Sequence, residues 1–222
     1  MQLFLNKAHY PVTVLGPGRR IGIWFQGCSI HCPDCISRDT WAFERGQRMP
    51  VAALLAWCRQ VGQPGFDGIT LSGGEPFDQP KALLALLRGL QQWRQAAQLD
   101  FDLLCYSGYP LAHLQQKHAP LLRLLDALIP EPYVDAQPMN WLWRGSDNQP
   151  LVPLSPRGEA RYAAFLAAPA DQFGQRLQVS VQGQRVWYIG LPQRGDMARL
   201  EAECRERGLQ FAATSWQPDP RT

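Results

Sequence analysis

RIGIWFQGCSIHCPDCISRDTW, residues 20–41, opens with an apolar run at 21–25 that reads as a buried strand and ends at Gly27. The chain then enters a tight loop that carries three cysteines, Cys28, Cys32 and Cys35, in C-x3-C-x2-C spacing. Three thiols this close mean a metal. A closed structural site takes four ligands, so three point either to a distant fourth donor or to an iron–sulfur cluster with one iron left open.

Downstream, strands and helices alternate. Residues 50–61 are apolar on a helical period, with Pro50 suited to the first turn. A strand at 66–71 runs into Ser72-Gly73-Gly74-Glu75-Pro76; Asp78 is placed to cap the next helix, whose face is Leu83, Leu86, Leu87, Leu90 and Trp93. A strand at 101–106 follows, then the turn Ser107-Gly108-Tyr109-Pro110, a helical region at 111–124 that Pro120 breaks or kinks, and a strand at 125–129. Such alternation predicts parallel βα units with right-handed crossovers. Ligand sites then belong at the C-terminal ends of the strands, where Cys28, the Gly-Gly-Glu-Pro turn and Ser107-Gly108-Tyr109 all fall. Upstream, residues 3–15 hold two apolar stretches split by His9-Tyr10-Pro11, an edge strand or hairpin, and Gly16-Pro17-Gly18-Arg19 reads as a turn.

Residues 134–158 lack a regular pattern and read as a long loop over the same rim. From 159 the pattern changes: a helix at 159–168, a hairpin at 177–189 around Gln182-Gly183, and a helix from Asp196 stopped by Gly208. The expected organisation is therefore a core over 1–158 and a small ββα extension over 159–222, fraying from Gln217.

With 45% hydrophobic and 18% charged residues among 222, the chain should fold. A net charge of +3 from scattered Arg and Lys argues against a nucleic-acid groove. The N-terminus lacks the flank, apolar stretch and cleavage site of a signal peptide, and no apolar window is long enough to span a membrane, so a cytoplasmic protein is expected. Six cysteines could form three disulfides, but clustering favours metal for three of them, leaving Cys58, Cys105 and Cys204 as small buried hydrophobes.

The cysteine loop followed one βα unit later by Gly-Gly-Glu-Pro resembles radical S-adenosylmethionine (SAM) enzymes. The closer resemblance is to the activating enzymes of anaerobic (class III) ribonucleotide reductase and other glycyl radical enzymes, carried by GPGRR at 16–20, IWFQGC at 23–28, DTW at 39–41, LSGGEP at 71–76, YSGY at 106–109 and WRGSDNQ at 143–149. It implies an α/β fold, a partial (βα) TIM-like barrel. Cys28, Cys32 and Cys35 would hold three irons of a [4Fe–4S] cluster whose fourth iron chelates SAM. By the same resemblance Gly73, Gly74 and Glu75 hold the amino group of the SAM methionine, Tyr106, Ser107 and Gly108 line the pocket, and Arg144, Ser146 and Asn148 close its far side. Residues 16–19 would shape the cluster pocket rather than merely turn the chain. Trp24, Trp41 and Trp143 would pack around the cluster.

The resemblance implies reductive cleavage of SAM to a 5′-deoxyadenosyl radical, a glycyl radical enzyme as protein substrate, and a flavodoxin- or ferredoxin-like electron donor. Asp34 before the third cysteine, Pro130-Glu131 before Pro132-Tyr133, and the chain beyond 150 depart from that pattern. A radical SAM enzyme acting on a peptide or small molecule is the alternative. A zinc-binding interaction protein, using the three cysteines with His31 or a remote donor, is the distant one.

Overall fold

The computed structural model describes residues 1–43, 47–172 and 175–217; the segment beyond Gln217, where fraying is expected, lies outside the described residues. Four strands run parallel at the centre of one sheet: β2 (Arg20–Phe25), β4 (Gly68–Gly73), β5 (Asp102–Tyr106) and β6 (Ala127–Ile129). β1 (Gln2–Val12) pairs antiparallel with β2, β3 (Gln47–Pro50) antiparallel with β1, and β7 (Val152–Pro153) antiparallel with β6. The order is β3-β1-β2-β4-β5-β6-β7, an open mixed sheet among the described residues. The α/β class expected from the alternating pattern is therefore present, and the described residues form no closed barrel.

Helices α1 (Val51–Val61), α2 (Pro80–Ala96) and α3 (Leu111–Leu122) connect successive strands. Their apolar faces, Leu54, Leu55 and Cys58, then Leu83, Leu86, Leu87 and Leu90, then Leu114 and Leu121, join Ile21, Ile23, Phe25, Ile69, Leu71 and Leu103 in one core. Alternate strand residues face the other way: Leu104, Ala127 and Ile129 pack on Leu142, Trp143, Leu151 and Tyr162, and Trp24 packs on Val12, Val14, Leu15 and Ile189. Covering both faces is what lets β2 be buried along its whole length.

The N-terminal strand is not an edge strand. Residues 2–5 are covered by β3, and the His9-Tyr10-Pro11 interruption is absorbed by an irregular register between His9 and Val12. Pro50 lies just before α1, in extended backbone at φ −60° and ψ 133°. α3 kinks at His118 (φ −129°, ψ 22°), two residues before Pro120, whose ring and missing N–H forbid a regular turn there.

Beyond the sheet, α4 (Pro156–Tyr162) begins earlier than the sequence suggests, because the Ser155 hydroxyl accepts the Gly158 N–H at 3.0 Å and Pro156 suits the first turn. Tyr162 is buried and donates its hydroxyl to Asp102 Oδ1 at 2.5 Å. β8 (Leu177–Gln182) and β9 (Arg185–Gly190) form a two-stranded hairpin, and α5 (Asp196–Glu206) follows, with Gly208 in the left-handed region at φ 77° after its end. The hairpin sits on the N-terminal strand: Gln178 donates to the Pro11 carbonyl at 2.6 Å and accepts from the Thr13 N–H at 2.9 Å.

Candidate functional site

Three parallel strands end on one rim. β2 and β4 are in register with Phe25 beside Gly73, and β5 ends at Tyr106. From these ends emerge the cysteine loop, the Gly-Gly-Glu-Pro turn and the Ser107-Gly108-Tyr109 turn, and each is tied to the others. The Gly74 N–H donates to the Phe25 carbonyl at 2.9 Å and the Glu75 N–H to the Gly27 carbonyl at 2.8 Å. This approach leaves no room for a side chain: a Cβ on Gly74 would lie 2.1 Å from the Gly27 oxygen, and Gly73 has φ +105°.

Asp78, expected as a helix cap, does something else. Its carboxylate accepts from the Ser29 N–H at 2.7 Å, the Ser29 hydroxyl at 3.0 Å and the Tyr109 hydroxyl at 2.7 Å. Gln79, next to α2, makes no side-chain cap. The acidic residue that periodicity assigns to a helix terminus thus braces the loop between the first two thiols.

Glu75 is buried, and both of its oxygens are occupied. Oε1 accepts from the Phe77 N–H at 3.0 Å and the Ser107 hydroxyl at 2.9 Å, and Oε2 from the Gly108 N–H at 2.7 Å. Burial pushes its carboxyl up to about 7, while these three donors pull it down. The side chain therefore joins the turns after β4 and β5. Replacing it by Gln (Glu75→Gln) turns an amide nitrogen toward one of the N–H groups it now receives. A loss of about 1–3 kcal/mol in unfolding free energy is expected, for one buried donor left unmatched. Thermal or urea unfolding of the cluster-free variant measures it, and a change below about 0.5 kcal/mol would contradict the tie.

All three thiols, Gly73, Gly74, Glu75 and residues 106–108 line one cavity of about 450 Å³. Cys28 is buried and Cys32 and Cys35 half-buried. Burial pushes Cys28 up to about 11 and also raises Cys32 and Cys35; N–H groups oppose this, from His31 and Ile30 at Cys28, Tyr133 at Cys32 and Ser37 at Cys35. A bound cation reverses the balance, since a coordinating thiol is deprotonated, and N–H groups aimed at sulfur tune the potential of a cluster held there. The three thiols share the wall of a cavity of a size that takes a small-molecule ligand, and three thiolates with no fourth protein donor among the lining cysteines are the donor set of an iron–sulfur cluster with one open iron.

Other candidate residues fall elsewhere. Arg144 donates to the Leu166 carbonyl at 2.7 Å, the Ser146 hydroxyl accepts the Val134 N–H at 3.1 Å, and Asn148 donates to the Pro132 carbonyl at 2.8 Å. Within that segment Gly145 and Gln149 are the cavity-lining residues. The Gly16-Pro17-Gly18-Arg19 segment is a turn at the opposite end of β2, away from the cavity. Trp41 lines the cavity with His31 stacked on it at 4.6 Å, whereas Trp24 and Trp143 do not line it and are packed in the apolar clusters that also hold Tyr106.

The cavity also has walls that pattern reading does not reveal. Glu131, Tyr133 and Asp135 line it from the segment after β6, and residues 191–195, Met197, Ala198 and Trp216 line it from the C-terminal extension. Arg194 and Asp135 meet across it at 2.8 Å, and the Asp39 N–H donates to the Ser215 carbonyl at 3.2 Å. The sequence signals for these contacts are the loop expected over the rim from residue 134, which holds Asp135, the departure at Pro130-Glu131 and the presence of the extension.

The 4Fe-4S single cluster domain model matches residues 14–152. Among curated proteins, the anaerobic ribonucleoside-triphosphate reductase-activating protein of Enterobacteria phage T4 is 31% identical over 64% of this chain and 89% of its own length. Its namesake in Vibrio cholerae is 32% identical over 64% of this chain and 92% of its own length. The pyruvate formate-lyase-activating enzyme of Clostridium pasteurianum is 38% identical over 33% of this chain and 32% of its own length.

Proposed function

We propose a function from one premise: the chain belongs to the 4Fe-4S single cluster domain family, together with the anaerobic ribonucleoside-triphosphate reductase-activating proteins. It is a radical SAM enzyme that activates a partner by forming a glycyl radical. The observation that carries this reading is the meeting of Cys28, Cys32 and Cys35 with the Gly73-Gly74-Glu75 turn in one cavity.

When bound, a reduced [4Fe–4S] cluster with SAM on its open iron supplies the electron that yields methionine and a hydrogen-abstracting 5′-deoxyadenosyl radical. The protein's part is placement and exclusion of water. Cys28, Cys32 and Cys35 would hold three of the cluster's irons. The bare backbone of Gly73 and Gly74 lets carbonyl groups come close to the amino group of the SAM methionine, and the Glu75 tie holds that turn against residues 106–108, which line the pocket. Arg144, Ser146 and Asn148 support the far wall from behind, through the segments they brace. No general acid or base is needed.

The sheet is open, and as a partial barrel it would leave one side for a glycine-bearing loop of the partner. A flavodoxin- or ferredoxin-like protein would supply the electron. Among the described residues no helix is long and apolar enough to cross a membrane, which accords with work in the cytoplasm. We divide the chain into a radical SAM core and a C-terminal extension near residue 158. One observation favours a second reading, modification of a peptide or small molecule: residues 191–195, Met197, Ala198 and Trp216 of the extension wall the same cavity.

The test is anaerobic. The protein is reconstituted with iron and sulfide, reduced with dithionite and given SAM. 5′-Deoxyadenosine and methionine are expected, and a colourless protein that binds zinc and leaves SAM intact would refute both readings.

A further inference from the structure

Beside the cluster cavity lies a second one of about 220 Å³, partly open and set between the core and the C-terminal extension. The two adjoin: Ile36, Ser37, Ser72, Tyr106, Leu191 and Trp216 line both. Four of the lining residues from the extension are aromatic. Tyr188, Phe211 and Trp216 meet edge to face at 6.0–6.2 Å in a closed triangle, with the Trp216 indole N–H donated to Glu201. Trp24 and Trp187 add two more rings.

Charge is nearly absent. Among the described residues Lys7 is the one charged side chain lining this chamber, and it is paired with Asp39 at 2.9 Å. Two lining residues, Trp187 and Thr214, carry buried polar atoms, Nε1 and Oγ1, without a hydrogen-bond partner. An unmatched buried donor is costly and marks a place where a ligand group can be received.

We infer that this chamber is the acceptor subsite: it receives one uncharged aromatic or aliphatic side chain of the polypeptide whose hydrogen atom is abstracted in the adjoining cavity. The inference rests on the proposed radical SAM reading. Size selects the occupant. Small-molecule sites span roughly 300–1,000 Å³, so this volume suits a single side chain rather than a whole cofactor. With Lys7 the one charged lining side chain among the described residues, and its charge already matched by Asp39, the chamber offers no free counter-charge to a charged or phosphorylated group. None of the residues from the extension lies within the stretch matched by the family, so this subsite belongs to this chain's own substrate choice.

The test follows the indole N–H signals of the full chain labelled with nitrogen-15 tryptophan, the Trp187 signal being assigned with Trp187→Phe. N-acetyl-phenylalaninamide and N-acetyl-leucinamide are expected to shift the Trp187 and Trp216 signals, saturating in the millimolar range, while the aspartate analogue leaves them in place. Thr214→Phe fills the chamber and is expected to weaken the response at least tenfold. Absence of any shift, equal shifts with the aspartate analogue, or an undiminished response in Thr214→Phe would overturn the proposal. Because the readout needs no turnover, the two readings fail separately: shifts without SAM cleavage would refute the radical SAM reading, and SAM cleavage without shifts would refute the subsite.

Discussion

Cys28→Ala, Cys32→Ala and Cys35→Ala are each expected to abolish both the visible absorbance of the reconstituted cluster and the formation of 5′-deoxyadenosine. Loss of an outer partner of a metal ligand already costs on the order of 10–100-fold in affinity or activity, and these are the ligands themselves. The loop that carries them is also held by hydrogen bonds at both of its ends. The Gly27 N–H donates to the Thr40 carbonyl at 2.7 Å, the Cys28 N–H to the Trp41 carbonyl at 3.1 Å, and Gln26 Nε2 to the Ala42 carbonyl at 2.7 Å. Far-ultraviolet circular dichroism should therefore match the parent in all three variants. Cys105→Ala is the contrasting case. Cys105 is fully buried in β5, so its truncation should lower stability by roughly 1 kcal/mol and leave the cluster in place. Iron content after reconstitution separates the two kinds of cysteine. A Cys32→Ala protein that still cleaves SAM would refute the ligand assignment.

Asp102→Ala is expected to produce the largest loss of stability of any single change at the foot of the sheet. Arg20 and Asp102 are both fully buried, joined at 2.6 Å and 3.1 Å, and the remaining Arg20 donors go to Thr70 Oγ1 at 2.6 Å, the Ile69 carbonyl at 3.1 Å and the Pro17 carbonyl at 3.1 Å. Removing the carboxylate leaves a guanidinium buried without its counter-charge and takes the acceptor from Tyr162. Breaking a buried pair from one side costs about 3–5 kcal/mol, a large part of the ~5–15 kcal/mol that holds a domain together. At ~2–4 °C per kcal/mol for a chain of this size, the melting temperature should fall by roughly 6–20 °C. The double change Arg20→Met with Asp102→Leu should recover much of that loss, because it removes both charges from the interior rather than one. Urea unfolding of the three proteins decides it, and a cost below about 1 kcal/mol for Asp102→Ala would contradict the account.

The pair also shows where pattern reading stops. Two adjacent arginines after a glycine-rich turn can be surface charge, pocket wall or buried anchor, and local sequence does not distinguish them. Arg20 is an anchor because Asp102 lies 82 positions away at the start of β5. Asp78 is a similar case. It sits where a helix cap belongs, yet Ser29 and Tyr109 offer it three donors from two other loops, and the longer-range bonds prevail.

Local sequence by itself determined the strand–loop–helix alternation, the parallel rim, and the placing of the three thiols beside the Gly-Gly-Glu-Pro turn. Each follows from short-range rules: an apolar run, a glycine where the backbone must pass close, a proline that starts or kinks a helix. Tertiary structure alone decided that β3 covers the N-terminal strand, that Tyr162 donates to Asp102, and that the extension folds back to wall the cluster cavity and border a second chamber. Those outcomes depend on pairs far apart in the chain, such as Thr13 with Gln178 and Asp135 with Arg194. Periodicity says which face of an element is apolar, but only packing says which other face it meets.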